Sequence, residues 1–124
     1  MKIAIPVNED SGLQSTISEH FGHTPYFAFV DLEKDEIKAI KIIVNPFENH
    51  APGEVPGFVK ENGAQVMVAR GMGGRAVSFF EQFGIQVVKG VDGNIENIIN
   101  RLVEGKLISV DSYEPSDKSH DHNC

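Results

Sequence analysis

Three short segments carry the side chains and glycines that could do chemistry in this 124-residue chain. They combine imidazoles, which are good ligands for iron, zinc, copper or nickel, with glycine-rich backbone and arginine, which suit an anion. Together they predict one site for something small and negatively charged. The segments are Ser18-Glu19-His20-Phe21-Gly22-His23, Asn49-His50-Ala51-Pro52-Gly53 and Gly71-Met72-Gly73-Gly74-Arg75.

The histidines of the first segment, His20 and His23, are separated by two residues. On a helix this spacing would place both imidazoles on one face; in a loop it needs a turn, which Gly22 could supply. The alternative is that they are surface-loop histidines that cap a helix or bond the backbone. His50 attracts interest only if its loop shares an edge of the fold with the others.

The glycine-rich segment lies between an apolar strand pattern and a helix pattern. Glycines there let the backbone approach a ligand, and a helix N-terminus presents unpaired N–H groups to an anion. Arg70 and Arg75 flank the segment on an otherwise acidic chain. An equally strong alternative is a tight turn that requires glycine at positive φ. No Lys-Ser or Lys-Thr follows, as in a Walker loop, and Ala76 takes the last place of a G-x-G-x-x-G fingerprint.

The C-terminal residues 111–124 contain no aliphatic side chain and predict a flexible tail. The tail ends in His120, His122 and Cys124 at alternate positions. Two imidazoles and a thiol in this pattern could capture or hand over a soft or borderline metal ion. A solvated tail with incidental histidines is the alternative.

Composition excludes several function classes. A net charge of −7 disfavours binding to nucleic acid and to anionic membranes. No apolar run approaches the roughly 20 residues that span a bilayer, and no signal peptide is recognisable at the start, so we expect a cytoplasmic protein. The single cysteine cannot form an internal disulfide, and it lies on the tail, away from any nucleophile-activating context. We therefore predict that the protein is not an enzyme.

Hydrophobic periodicity predicts the elements in the order β-β-β-α-β-α-β-α. The third strand forms a hairpin with the second, half exposed at its start and buried at its end. In the last helix, Ile95, Ile98, Ile99, Leu102 and Val103 form one apolar stripe. We expect strands at 2–7, 26–30, 36–44, 65–69 and 85–88, and helices at 54–62, 75–83 and 94–104.

This order predicts that the three segments meet. The first and third strands of a meander point the same way, and strands joined through a helix are usually parallel. Four strands would then end at one edge of the sheet. Ligands of open α/β sheets bind at the carboxyl ends of the strands, so we expect the site at that edge.

The chain resembles the dinitrogenase iron–molybdenum cofactor biosynthesis family (NifX-like domains) over nearly all of residues 1–110. The resemblance rests on matching segments along the chain. They are Ile3-Ala4-Ile5-Pro6, Ser18-Glu19-His20-Phe21-Gly22, Asn45-Pro46 with His50, Gly71-Met72-Gly73-Gly74-Arg75-Ala76 and Gly105-Lys106-Leu107.

The resemblance implies an α/β protein with a three-layer α/β/α, ribonuclease-H-like fold and a mixed five-stranded sheet. It implies a single domain at 1–110 that binds or carries an iron–sulfur or iron–molybdenum-type cluster. His20 is the leading ligand, with the His-Phe-Gly and glycine segments around it. The partners would be the cluster and proteins that donate or accept it. A metal-free module that binds a small anion or nucleotide at the glycine loop is the alternative.

Overall fold

A computed structural model describes residues 1–47 and 53–105. His50 and the tail with His120, His122 and Cys124 therefore lie outside the described residues. A short 3-10 turn at Gly12–Gln14 interrupts the loop after the first strand. The other elements, in chain order, are β1 (Lys2–Val7), β2 (Tyr26–Glu33), β3 (Glu36–Val44), α1 (Glu54–Glu61), β4 (Val66–Val68), α2 (Gly74–Gln82), β5 (Gln86–Val88) and α3 (Ile95–Val103).

The five strands form one sheet in the order β3-β2-β1-β4-β5. β2 pairs antiparallel with both β1 and β3, whereas β1, β4 and β5 are parallel. The prediction of an α/β protein with a mixed five-stranded sheet is confirmed. β2 extends to Glu33, three residues beyond its predicted end, because its register with β3 continues through the charged turn.

Alternation along the central strands sends side chains to two separate cores, one on each face of the sheet. On one face, Ile3 and Ile5 of β1 pack with the buried isoleucines of α3. On the other face, Ala4 of β1 packs in a core that includes α1 and Phe80 of α2. Helices therefore cover both faces, which explains why β4, and β1 after Lys2, consist of apolar residues.

The last helix follows its sequence signals closely. The side chain of Asn94 caps it by accepting a 2.9 Å hydrogen bond from the N–H of Asn97. Ile95, Ile98 and Ile99 are buried as predicted, but Val103 is 38% exposed. Val103, at the end of the predicted stripe, borders an open cleft together with Leu102 instead of the closed core.

The prediction that β3 is buried at its end is wrong. Val44, the last residue of β3, is 65% exposed. β3 is the outer strand of the sheet and pairs only with β2 among the described strands. Its register shifts so that no residue of β2 lies opposite Lys38, the pattern of a bulge. A bulge and lysines on an edge strand oppose unwanted pairing with another chain.

No helix within residues 1–47 and 53–105 is both long and apolar enough to cross a membrane.

Candidate functional site

The strand directions confirm the predicted shared edge of the sheet. Two antiparallel pairings make β3 run the same way as β1, and β4 and β5 are parallel to β1. The carboxyl ends of these four strands therefore share one edge of the sheet. We call the described residues of the loops that leave it the carboxyl-edge rim; they are residues 8–25, 45–47, 53, 69–73 and 89–94.

The loop that carries His20 is held at both ends by the end of β1. The N–H of Ser18 donates a 2.8 Å hydrogen bond to the carbonyl of Pro6. The buried Thr24 hydroxyl donates to the carbonyl of Val7, also at 2.8 Å. Parallel pairing of β1 with β4 stops at Ala4. Pro6 has no N–H to donate, but because it lies beyond this pairing it removes no hydrogen bond between the two strands.

Asn45, directly after β3, joins the second loop of the rim to the first. Its side-chain N–H groups donate to the carbonyls of Gly22 (3.1 Å) and Thr24 (2.8 Å). Its side-chain oxygen accepts a 2.9 Å hydrogen bond from the N–H of Phe47. One amide thus fixes the position of both loops. Sequence reasoning noted Asn45 only as part of the family resemblance.

Replacing Asn45 by alanine is expected to lower the free energy of unfolding by about 1–3 kcal/mol, since three partly buried backbone groups lose their partner. Urea denaturation measures the change. Asn100→Ala on the exposed side of α3 is the matched control, with an expected effect near zero. Equal effects of the two substitutions would contradict the role of Asn45.

The glycine-rich loop is joined to the loop that follows β5. The N–H of Gly90 donates to the carbonyl of Arg70 at 3.0 Å. The ammonium group of Lys89 donates to the carbonyl of Met72 at 3.3 Å. Lys89 therefore adds a third positive charge beside this loop. Sequence reasoning missed it because no motif marks a lysine that is one residue past a short strand.

The residues on either side of His20 contact the glycine-rich loop and the helix behind it. The carboxylate of Glu19 lies 3.9 Å from the guanidinium of Arg70. The buried ring of Phe21 packs edge-on against Phe80 of α2, with the ring centroids 5.8 Å apart. His20 itself is exposed. The loop that carries His20 therefore contacts Arg70, directly before the glycine-rich segment, and Phe80 of α2.

The glycines of this loop do not have the backbone conformation that only glycine favours. Gly73 has φ −70°, Gly74 is the first residue of α2, and Gly71 has no positive φ. A Cβ atom added to Gly71 would have no heavy atom within 4 Å. The positive-φ turn, one of the two alternatives from sequence, is therefore wrong. The backbone at Gly71 is open to a ligand, which favours the other alternative.

Gly71→Ala is expected to leave the free energy of unfolding unchanged or to raise it by up to about 1 kcal/mol, because the site has room and φ is ordinary. The same change at Gly53 should destabilise the protein by about 1 kcal/mol or more. Gly53 has φ +91°, and its added Cβ would lie 3.2 Å from the ring of Phe79. Urea denaturation compares the two variants. A larger loss of stability in Gly71→Ala than in Gly53→Ala would contradict the ordinary φ and free space at Gly71.

The N-terminus of α2 differs from that of α3 in its charges. α3 has a capping side chain, Asn94, and an acidic residue, Glu96, in its first turn. α2 starts after Gly73, has no acidic residue in its first turn and carries Arg75 there. Partial positive charge of the helix end and the arginine therefore add together at the rim. This arrangement attracts anions.

The geometry agrees with comparisons to known proteins. The family model described as dinitrogenase iron-molybdenum cofactor matches residues 1–105. The chain belongs to this family. An uncharacterized protein of Methanocaldococcus jannaschii is 34% identical over 110 residues, which cover 86% of this chain and 89% of that protein.

Two solved structures show the same fold as this member of the dinitrogenase iron-molybdenum cofactor family. The crystal structure of PH0822 is 40% identical, with a TM-score of 0.78, and the match covers 88% of this chain and 96% of that one. The apo form of the orange protein from Desulfovibrio gigas is 18% identical, with a TM-score of 0.76. That match covers 87% of this chain and 91% of the orange protein, and at this identity it shows the fold alone.

Metal donors are sparse in the described part of this family member. Within residues 1–47 and 53–105, no three His, Cys, Asp or Glu side chains group closely enough to hold a metal ion. His20 and His23 are both exposed on the same loop. A closed structural zinc site needs four protein ligands and a catalytic one needs three, so the described residues offer too few donors for either.

Proposed function

We propose that this protein is a non-catalytic carrier of a preassembled iron–sulfur or iron–molybdenum-type metallocluster, bound at the carboxyl-edge rim with His20 as its ligand. The observation that carries the proposal is that the two neighbours of His20 contact the segment around the glycine-rich loop: the carboxylate of Glu19 lies 3.9 Å from Arg70, and the ring of Phe21 packs against Phe80 of α2. Membership of the dinitrogenase iron-molybdenum cofactor family supports the same cargo class.

A cluster fits this donor set better than a bare metal ion. A bare ion takes most of its ligands from the protein, and the described residues offer no group of three donors. A metallocluster already holds bridging ligands between its metal atoms, so one or two protein donors are enough to attach it. A carrier must also release its cargo, and few protein bonds to the cluster make that release easier.

The remaining rim residues have roles that follow from charge. An iron–sulfur-type cluster is an anion in most states. The backbone N–H groups of Gly71 to Gly74 and the side chain of Arg75 would neutralise it, with Lys89 and Met72 fixing the loop. We assign His23 and His50 as supporting ligands. The tail donors His120, His122 and Cys124 would assist loading from donor proteins or transfer to acceptors.

The direct test is anaerobic reconstitution of the full chain with iron and sulfide, followed by metal analysis and visible spectra. Stoichiometric iron with a charge-transfer band is the expected result. A protein that retains no iron after desalting would refute the proposal. The metal-free alternative would instead give thermal shifts with inorganic phosphate or nucleotides that survive His20→Ala and vanish with Arg75→Ala.

Arg75→Ala is expected to weaken cluster retention by about 5- to 30-fold, the equivalent of one charge-assisted contact of about 1–2 kcal/mol. Stability should change little because Arg75 is exposed. Iron retained during dialysis at low and high salt measures the effect, which should shrink as salt rises. Lys38→Ala, an exposed cation on the outer strand, is the control. Equal retention by both variants would remove Arg75 from the site.

We also propose that the fold is the ribonuclease-H-like type. Support comes from the strand order β3-β2-β1-β4-β5, with β2 antiparallel to its neighbours and helices on both faces. β1 has no acidic residue. The divalent-metal chemistry of nucleases with this fold is therefore not part of the proposal.

A further inference from the structure

A cleft of about 300 Å³ opens at the edge of the sheet opposite the carboxyl-edge rim, and its lining residues are apolar except for Asp35 and Gln86. We call it the amino-edge cleft. Ile3, Val66 and Val88, from three neighbouring strands, form its floor on the face that α3 covers. Leu102 and Val103, in the last turn of α3, form one wall.

The cleft exposes apolar side chains that a folded protein normally buries. Among the described residues, the large hydrophobic side chains that are more than a third exposed are Met1, Val44 and Val103. Met1, at 58%, and Val103, at 38%, both line this cleft. Exposed apolar side chains that gather in a concave surface mark an interaction site more often than isolated ones do.

The chain itself supplies an apolar segment directly after the last turn of α3 in the sequence. α3 ends at Val103, and Gly105, with φ +76°, closes it as a C-terminal glycine does. The next five residues, 106–110, include Leu107, Ile108 and Val110, and no aliphatic residue follows in the remaining 14. The last aliphatic side chains of the chain therefore begin four residues after the wall of the cleft.

We propose that the segment Leu107 to Val110 of the same chain fills the amino-edge cleft and completes the core on the α3 face. The size fits, because a dry cavity of about 150 Å³ already holds a benzene-sized group, so that 300 Å³ accommodates two aliphatic side chains. Proximity favours this occupant over any separate partner, since a short connection brings the ends together at small entropic cost. The folded domain then extends to residue 110.

We call the segment Leu107 to Val110 in the amino-edge cleft the anchor, and it sets the point from which the tail starts. The role of the tail that is considered next rests on the proposed carrier function. β1, which links the two edges, has six residues, or about 20 Å at roughly 3.3 Å per residue. Ten residues, 111–120, can span at most about 35 Å when extended. A tail anchored at the amino edge is therefore long enough for His120, His122 and Cys124 to reach the carboxyl-edge rim.

Methyl-labelled full-length protein, without metal, tests the anchor independently of the carrier function. We expect nuclear Overhauser effects between the methyl groups of Leu107, Ile108 or Val110 and those of Val66, Val88 or Val103. A sample that mixes differently labelled copies separates contacts within one chain from contacts between chains. Absence of these effects, or their presence only between copies, would overturn the proposal.

A stability measurement gives a second readout. Leu107→Ser is expected to lower the urea midpoint of the full chain by roughly 1 M, because an apolar side chain leaves the core. Tyr113→Ser, three residues past Val110, is the matched control and should leave the midpoint unchanged. An unchanged midpoint for Leu107→Ser would refute the anchor, whatever the protein then does with iron.

Discussion

Replacing His20 by alanine is expected to reduce the iron retained after anaerobic reconstitution by tenfold or more. His20 is the leading protein ligand in the proposed site, and even the loss of a group that only orients a metal ligand costs 10- to 100-fold in affinity. Metal analysis after desalting, with visible spectra, measures the change. Because the side chain is exposed, the urea midpoint should stay within error of the parent protein.

Two further variants make this test specific. His23→Ala removes the neighbouring imidazole from the same loop and should cost less, since His23 has only a supporting role. His20→Cys replaces one soft or borderline donor by another and should restore part of the retained iron. If His20→Ala retained as much iron as the parent protein, the carrier proposal would fail at its central residue.

Phe80→Ala is expected to give the largest loss of stability, about 3–5 kcal/mol in the free energy of unfolding. Phe80 is fully buried in the core beneath α1 and α2. Its ring is also the partner of Phe21, 5.8 Å away between centroids, in the loop that carries His20. The substitution leaves a cavity at the point where core and rim meet.

Phe79→Ala, on the same helix one residue earlier, is the matched control. Phe79 is only partly buried, so the same truncation should cost clearly less. Urea denaturation compares the two variants under identical conditions. Iron retention should fall further in Phe80→Ala than in Phe79→Ala, because Phe21 loses its ring contact. Equal destabilisation by the two substitutions would mean that Phe80 does not hold the loop.

Much of the fold was predictable because its signals are local. The apolar stripe of α3 and its cap at Asn94 lie within one short segment, and both are present in the structure. The continuous apolar residues of β4 are typical of a strand covered on both faces, and its side chains lie in both cores: Val66 and Val68 in one, Met67 in the other. The shared edge of the loops followed from the order of the elements, because crossover connections favour parallel strands.

Other features depended on contacts between distant residues. The exposure of Val44 follows from the outer position of β3, and the exposure of Val103 follows from where α3 ends relative to the sheet. The bond from Lys89 to Met72 and those from Asn45 to the first loop join residues 17 to 23 positions apart. Periodicity within a segment carries no information about such pairs.

The sequence by itself determined the α/β class, the order of the elements and the edge of the sheet from which the loops after β1, β3, β4 and β5 leave. Only the tertiary structure excluded a positive-φ turn in the glycine-rich loop, because φ depends on the surrounding backbone. It alone also revealed the contacts of Glu19 with Arg70 and of Phe21 with Phe80, and the amino-edge cleft. The physical reason is that local patterns set which face of an element is buried, whereas long-range packing sets what lies against that face.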